Sequence, residues 1–280
     1  MDKIKILIAC HKPAEVPNDD VYTPIHVGKA LHPELEMGFI GDDTGENISK
    51  KNASYCELTA QYWGWKNLDC EYIGLAHYRR FFETRFTADN VDREMEGTDV
   101  LLANPIHFNM SVDQFWTMKL IPEDVTVFYL ILKELYPEDY AIAARYLTGN
   151  LFYPCNMFLC KKMLFDQFAA WQFDVLEKIE RVLPQSGYSR ERRILGYLGE
   201  AMLPIWFLGR GYRVKTLPIV DQLGKIAVPH LKTRLRIIWS NWMTDRRFNR
   251  HRSNNLYIAD DYLAGLQQDG IVDIIKQMKR

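Results

Sequence analysis

Four short apolar runs limit what this chain can fold into: residues 4–10, 35–40, 71–76 and 99–103, each stopped abruptly by a polar, glycine or proline cluster. Runs of that length, rich in Ile, Leu and Val, predict strands buried on both faces. Between the second and third, Ser54 followed three residues later by Glu57 predicts a capping box and a helix from Tyr55 to about Lys66. Residues 111–147 carry a helical period. Residues 163–183 and 190–208 predict two long amphipathic helices, the second broken at Pro204. Residues 156–160 predict one further buried strand and 212–217 a last one. Strands alternating with helices at this spacing predict an α/β fold with a largely parallel sheet.

Charge and cysteine content exclude several function classes. Over 280 residues, 35 Lys+Arg face 36 Asp+Glu, a net charge of −1, so a protein whose whole surface binds nucleic acid is not expected. That balance is an average. Residues 230–252 hold Lys232, Arg234, Arg236, Arg246, Arg247, Arg250 and Arg252 against the single acid Asp245. Five cysteines without a C-x-x-C spacing predict free thiols in a reducing compartment rather than a disulfide frame or a zinc site. The first apolar stretch is too short for a signal-peptide core, and no window reaches 18 uninterrupted apolar residues. A cytoplasmic protein is expected, free or peripheral on the cytoplasmic face of a membrane.

In an open parallel sheet, ligands bind beyond the carboxyl ends of the strands. Three of the predicted strands end in polar clusters: His11-Lys12, Gly41-Asp42-Asp43-Thr44-Gly45 and His77-Tyr78-Arg79-Arg80. Adjacent guanidinium groups suit a diphosphate, because their forks bind phosphate oxygens in pairs. Asp42 and Asp43 suit ribose or sugar hydroxyls, or a divalent ion. Converging on one sheet edge, the three clusters predict a nucleotide or nucleotide-sugar site. Each also has a plainer reading: histidines hydrogen-bonded in the structure, aspartates as turn formers, arginines paired with helix carboxylates. Tyr62, Trp63 and Trp65 read as core packing or as a stacking platform.

These residues carry a resemblance. The opening His11, Lys12, Pro17, Pro24, Val27 and Gly28, the almost unbroken stretch 41–67 with Asn47 in it, and the segment 72–82 are its specific part. A weaker match at 156–159 and the late Arg193, Gly196, Tyr197, Leu198 and Glu200 complete it. The chain resembles, over residues 3–220, a bacterial family of capsular and exopolysaccharide-synthesis glycosyltransferases long catalogued as a domain of unknown function. Residues 168–173 and 200–203 depart from the family's pattern, and a histidine usual near Met118 and Lys119 is missing, which leaves the acceptor open.

The resemblance implies a GT-A-like, Rossmann-type nucleotide-binding sheet with a helical acceptor region. The donor half is about 1–105 and the acceptor half about 106–220. Residues 221–280 form a basic, aromatic helical extension. It implies a UDP-sugar donor, galactose or its furanose form, transferred with inversion to a lipid-linked saccharide. His11, Lys12, Asp42, Asp43, Asn47, Tyr78, Arg79 and Arg80 would bind the donor. Asn156, Arg193 and Trp171 would serve the acceptor or the structure. Glu200 is the first candidate for the base that inversion needs, with His77 beside it and Asp174 in reserve; the alternative for Glu200 is a plain ion pair with Arg193. Many such enzymes place an Asp-x-Asp pair at a strand end to hold a metal, and the matching strand end here, His77-Tyr78-Arg79-Arg80, has no carboxylate. No organic cofactor and no metal ligands are therefore expected, with Mg²⁺ or Mn²⁺ as the alternative. Trp239 and Trp242 among the basic residues of 230–252 suit an anionic bilayer surface, or equally the solvated face of a docking helix. The competing function is a non-catalytic nucleotide-sugar-binding protein; no nucleic-acid partner is expected.

Overall fold

Along the first strand, side chains alternate between two cores. β1 (Asp2–Cys10) sends Leu7 and Ala9 into one apolar cluster and Ile4, Ile6, Ile8 and Cys10 into the other. That is the period of two expected where both faces of a strand are covered. The computed structural model describes residues 1–184, 186–221 and 231–279. The further strands are β2 (Tyr22–His26), β3 (Ile40–Gly41), β4 (Cys70–His77), β5 (Arg80–Phe82), β6 (Val100–Ala103), β7 (Ile106–His107), β8 (Leu151–Phe152), β9 (Phe158–Lys161), β10 (Val214–Leu217) and β11 (Ile219–Asp221). The main sheet runs β10-β6-β9-β4-β1-β2-β3, with β5 and β11 hung from β4, while β7 and β8 pair separately. β1 lies parallel to β2 and β4, β2 to β3, and β6 to β10; β9 is antiparallel between β4 and β6. The fold is mixed α/β with a large, mostly parallel sheet.

The helices are α1 (Asn52–Tyr55), α2 (Leu58–Asn67), α3 (Val91–Glu94), α4 (Val112–Lys119), α5 (Pro122–Leu135), α6 (Pro137–Leu147), α7 (Lys162–Val182), α8 (Ser189–Arg192), α9 (Ile194–Gly209), α10 (Leu231–Asn249), α11 (Asp260–Gln268) and α12 (Ile271–Gln277). α7 buries Phe165, Phe168, Ala169, Gln172, Phe173, Leu176 and Ile179, a stripe at three- and four-residue spacing that packs on α2, α9 and β4. The other face of the sheet is closed by Tyr78, Phe82, Phe86, Val91 and Met95. α11 docks on α5, and α12 on α5 and α7, where Leu266 and Ile275 join the main core. α10 touches β7, and the single acid of the basic segment pins it there. Asp245 meets His107 Nδ1 at 2.8 Å and accepts from Asn150 Nδ2 at 2.7 Å. His230, which opened that segment in the sequence, lies outside the described residues.

Several sequence expectations are corrected. Residues 35–40 are not a strand apart from Ile40; the strand beside β1 is Tyr22–His26. Pro24 hides it. Val21 O and Val27 N face β1, so Pro24 faces the opposite side, where β3 has not yet begun and no ladder bond is lost. The capping box at Ser54 does not form, because Ser54 lies inside α1 and the chain breaks at Cys56 (φ 53°) before α2 starts. α9 continues through Pro204, and the break falls at Arg193 instead. Nearly all of α9 is buried, so its packing outweighs the one hydrogen bond that proline removes.

The loop after β2 rests on a buried carboxylate. Gly28 adopts φ 73°, and Asp42 accepts from the backbone N–H of Gly28 (2.9 Å) and Lys29 (3.2 Å) and from the Ser49 hydroxyl. Asp42→Ala strands these donors and is expected to cost about 3 kcal/mol, read as a lower urea midpoint at unchanged m-value.

Candidate functional site

The carboxyl ends of β1 and β4 emerge side by side. Ala9 is paired with His77, and the Tyr78 N–H donates to Ala9 O at 3.3 Å. Tyr78 and Arg79 make the two-residue turn into β5, since His77 pairs with Arg80 across it. Above this turn opens a cleft of about 710 Å³, lined by His11, Asn52, Cys56, Glu57, His77, Tyr78, Arg79, Arg80, Ser189, Arg192 and Arg193 among others. The buried Tyr78 ring gathers its cations. Arg79 lies 5.1 Å and Lys12 5.6 Å from the ring, and His11 meets it edge-on at 5.0 Å. Burial holds the His11 pKa below its ordinary value, and Lys12, Arg193 and Arg79 push it further down. The positive potential of the cleft therefore comes from lysine and arginine.

Behind the cleft is a smaller pocket of about 130 Å³, lined by Cys56, Glu57, His77, Arg80, Cys155, Arg193, Gly196, Tyr197 and Glu200. Cys56 (φ 53°) and Cys155 (φ 65°) are the non-glycine residues at positive φ among the described residues, and both line it. Such strain persists where the surroundings over-determine it. Arg193 Nε donates to Cys56 Sγ at 3.2 Å and Arg80 Nη1 to Cys155 Sγ at 3.0 Å. The Cys155 N–H donates to the Glu200 carboxylate, and Asn156 Nδ2 to Glu57 Oε1 at 2.7 Å. Burial pushes Glu200 up to about 7, helped by the Glu57 charge and opposed by the Cys155 N–H, Arg80 and Arg193. His77 is held below its ordinary value by burial; Glu57 pulls the other way, and Arg80, Arg79 and Arg193 add to the depression. His77 Nε2 and Asn156 Oδ1 are buried without a hydrogen-bond partner among the described residues.

A third cavity, of about 270 Å³, is lined by Phe115, Trp116, Lys119, Leu120, Phe152, Arg190, Tyr197 and Glu200. It shares Tyr197 and Glu200 with the small pocket. Glu200 thus stands where a cationic cleft, through that pocket, meets an aromatic cavity.

A domain of unknown function, DUF4422, matches residues 5–211. The chain belongs to that family. It is also similar to the solved apo structure of the WbbM bifunctional glycosyltransferase, at 29% identity and a TM-score of 0.68, over 79% of this chain and 45% of that one. The chain therefore spans less than half of that protein's length. No curated protein matches it.

In this DUF4422 chain the cleft and small pocket bring together His11, Tyr78, Arg79, Arg80, His77, Arg193 and Glu200, with Lys12 at the rim and buried Asn156 behind Glu57. The 41–45 loop does not line them. Asp42 is consumed by backbone donors, Asp43 is exposed, and Asn47 braces its own loop through Asp43 O (3.0 Å) and Gly45 O (2.9 Å). Trp171 lines neither cavity; its Nε1 donates to Asp139 at 2.7 Å beneath Arg210. Asp174 is taken up by Lys178 and the Tyr136 hydroxyl, which outweigh its burial and hold its pKa low. Arg193 is turned to Cys56, and no ion pair joins it to Glu200 among the described residues. Sequence reasoning missed Glu57, spent there on the capping box, as well as Asn52, Cys155, Ser189 and Arg192. Its place as the last acid of the specific stretch 41–67 was the available signal for Glu57.

A carboxyl raised from 4.5 to about 7 keeps a proton that the unfolded chain releases. Its stabilising contribution is full below pH 4.5 and disappears as the pH rises through 7. Glu200→Gln removes the titration, so relative to wild type the variant gains up to about 3 kcal/mol between pH 4.5 and 7. Urea unfolding across that range checks it; parallel curves would mean a solvated Glu200.

Proposed function

We propose that this chain is a glycosyltransferase that moves galactose or galactofuranose from a UDP-sugar to a growing capsular, exopolysaccharide or O-antigen saccharide, with inversion. The observation that carries the reading is the position of Glu200 between the cationic cleft and the aromatic cavity. Likeness to WbbM, a bifunctional glycosyltransferase, supports it. On this reading the fold is GT-A-like, with a donor half of about 1–105 and an acceptor half of about 106–220. The UDP diphosphate lies against Arg79, Arg80, Arg192 and Arg193. Ionised Glu200 takes the proton of the acceptor hydroxyl as its oxygen attacks the anomeric carbon. The bond from that carbon to the diphosphate oxygen breaks, its electron pair stays on the UDP, and fixed guanidinium charge stabilises the departing anion.

The donor set suits an anion better than a divalent cation. Arginines occupy the strand end where Asp-x-Asp enzymes keep carboxylates, and among the described residues no group of three or more His, Cys, Asp or Glu side chains is placed to hold a metal ion. No step is routed through a metal; transfer that collapsed with chelator and returned with Mn²⁺ would contradict this account. Glu200→Gln is expected to reduce transfer by about 10²–10⁴-fold with far-UV circular dichroism and UDP affinity retained. In the wild type, kcat/KM should climb with pH through about 7 as Glu200 ionises. Normal turnover by the variant would remove Glu200 as the base. UDP-sugar binding without turnover in wild type, whatever the sugar, would favour a non-catalytic binding protein.

A lipid-linked acceptor fits α10. Leu235, Ile238, Trp239 and Trp242, at i, i+3, i+4 and i+7, form one stripe and are 59, 64, 63 and 51% exposed. Lys232 and Arg234 precede the stripe and Arg236 falls within it, and no acid precedes Asp245 on the helix. An apolar stripe with basic flanks suits an anionic bilayer surface. Among the described residues no helix is long and apolar enough to cross a membrane. The full chain should sediment with phosphatidylglycerol-containing vesicles and not with pure phosphatidylcholine, and the double variant Trp239→Ala/Trp242→Ala should stay in solution. Equal sedimentation of both proteins would dismiss α10 as the contact.

A further inference from the structure

The cavity on the far side of Glu200 is built differently from the cleft. Phe115, Trp116, Phe152 and Tyr197 surround it, with ring centroids 4.9 Å apart for Phe115–Phe152, 5.7 Å for Trp116–Phe152 and 6.2 Å for Trp116–Tyr197. Aromatic faces of this kind accept the C–H face of a sugar ring, which is apolar while its rim carries hydroxyls. Trp116 is 4% exposed, and its indole N–H is buried without an acceptor among the described residues. A buried donor left unpaired costs free energy, and a ligand hydroxyl would recover it. The cavity does not end there. A neighbouring space of about 340 Å³ shares Lys119, Leu120 and Arg190 with it and continues along Ile121, Pro122 and Ile194.

We infer that the aromatic cavity seats the terminal ring of the acceptor, and that the neighbouring space takes the next sugar unit, so that the acceptor is an oligosaccharide rather than a single sugar. This rests on the glycosyltransferase reading above, in which Glu200 receives the acceptor proton. Phe115 and Trp116 stack on and bond the terminal ring, and Glu200, shared with the small pocket, faces the hydroxyl that is to react. Leu120, Ile121 and Pro122 give the second ring an apolar floor beside Lys119 and Arg190.

The test is binding, which needs no turnover. A panel of methyl glycosides of galactose, glucose, mannose and N-acetylglucosamine, and of disaccharides built from them, is titrated by calorimetry into the full chain saturated with UDP. At least one disaccharide should bind more tightly than its own terminal monosaccharide. Phe115→Ala should weaken that binding about tenfold, the equivalent of one lost stacking contact. Trp116→Phe, which keeps an aromatic ring but loses the indole N–H with its five-membered ring, should weaken it several-fold while UDP affinity stays at the wild-type value. Disaccharide affinity unchanged in both variants, no preference over the monosaccharide, or no saccharide bound at all would each overturn the assignment. Saccharide binding that follows the expected pattern without turnover of any UDP-sugar would leave the cavity standing and refute the transferase reading instead.

Discussion

The site depends on how closely α9 approaches the turn at Cys56. A Cβ on Gly196 would lie 3.0 Å from both Cβ and Sγ of Cys56, and one on Gly199 would lie 2.5 Å from Leu58 Cδ1. Side chains at these two positions would hold the helix off. With hydrogens there, α9 lies against the break between α1 and α2, and Glu57 and Glu200 face one small pocket. Two further devices hold the contact. Buried Gln61 donates to Gln172, which donates to Gly199 O at 3.2 Å, so three helices are tied at the residue before Glu200. Arg193, near the start of α9, reaches Cys56 Sγ. The strained φ of Cys56 persists because its neighbours leave it no alternative.

That approach also sets the chemistry. Two carboxylates in one enclosed pocket cannot both ionise freely, and burial with the Glu57 charge raises Glu200 into the neutral range. The arginines do the reverse, favouring ionised Glu200 while they depress the protonation of His77 and His11. Burial disfavours the protonated histidines and raises Glu200, and one set of cations adds to the first effect, moderates the second and makes the cleft attractive to anions.

How much of this was legible from sequence follows from what each signal measures. β1, β4 and β6 were legible because a strand covered on both faces is a continuous apolar run. β2 was not, because Pro24 is a strand-breaker by local rule and harmless only where the neighbouring strand has not begun. Glu57 sat at the spacing of a capping box, but that rule assumes a regular helix start, and the positive φ at Cys56 sends the side chain to Asn156 instead. Asp42 carried the right chemistry for a hydroxyl ligand, yet the fold of the 28–49 loop spends its oxygens on backbone donors, a matter of tertiary geometry. Glu200 and the His77–Arg80 turn stand within sequence motifs, whereas the glycine-mediated contact that sets Glu200 beside Glu57 does not show in them.

The single acid of the basic segment links the remaining parts. Asp245 binds His107 of β7 and Asn150 beside β8, and β8 supplies Phe152 to the aromatic cavity. A charge that in sequence only diluted a basic run is thus the bond holding α10 to the two-stranded unit that walls this cavity. His107 and Asp245 are both partly buried, and the apolar stripe of α10 lies on side chains that this bond does not use. The helix can remain fixed to the body through Asp245 while Leu235, Ile238, Trp239 and Trp242 meet another surface.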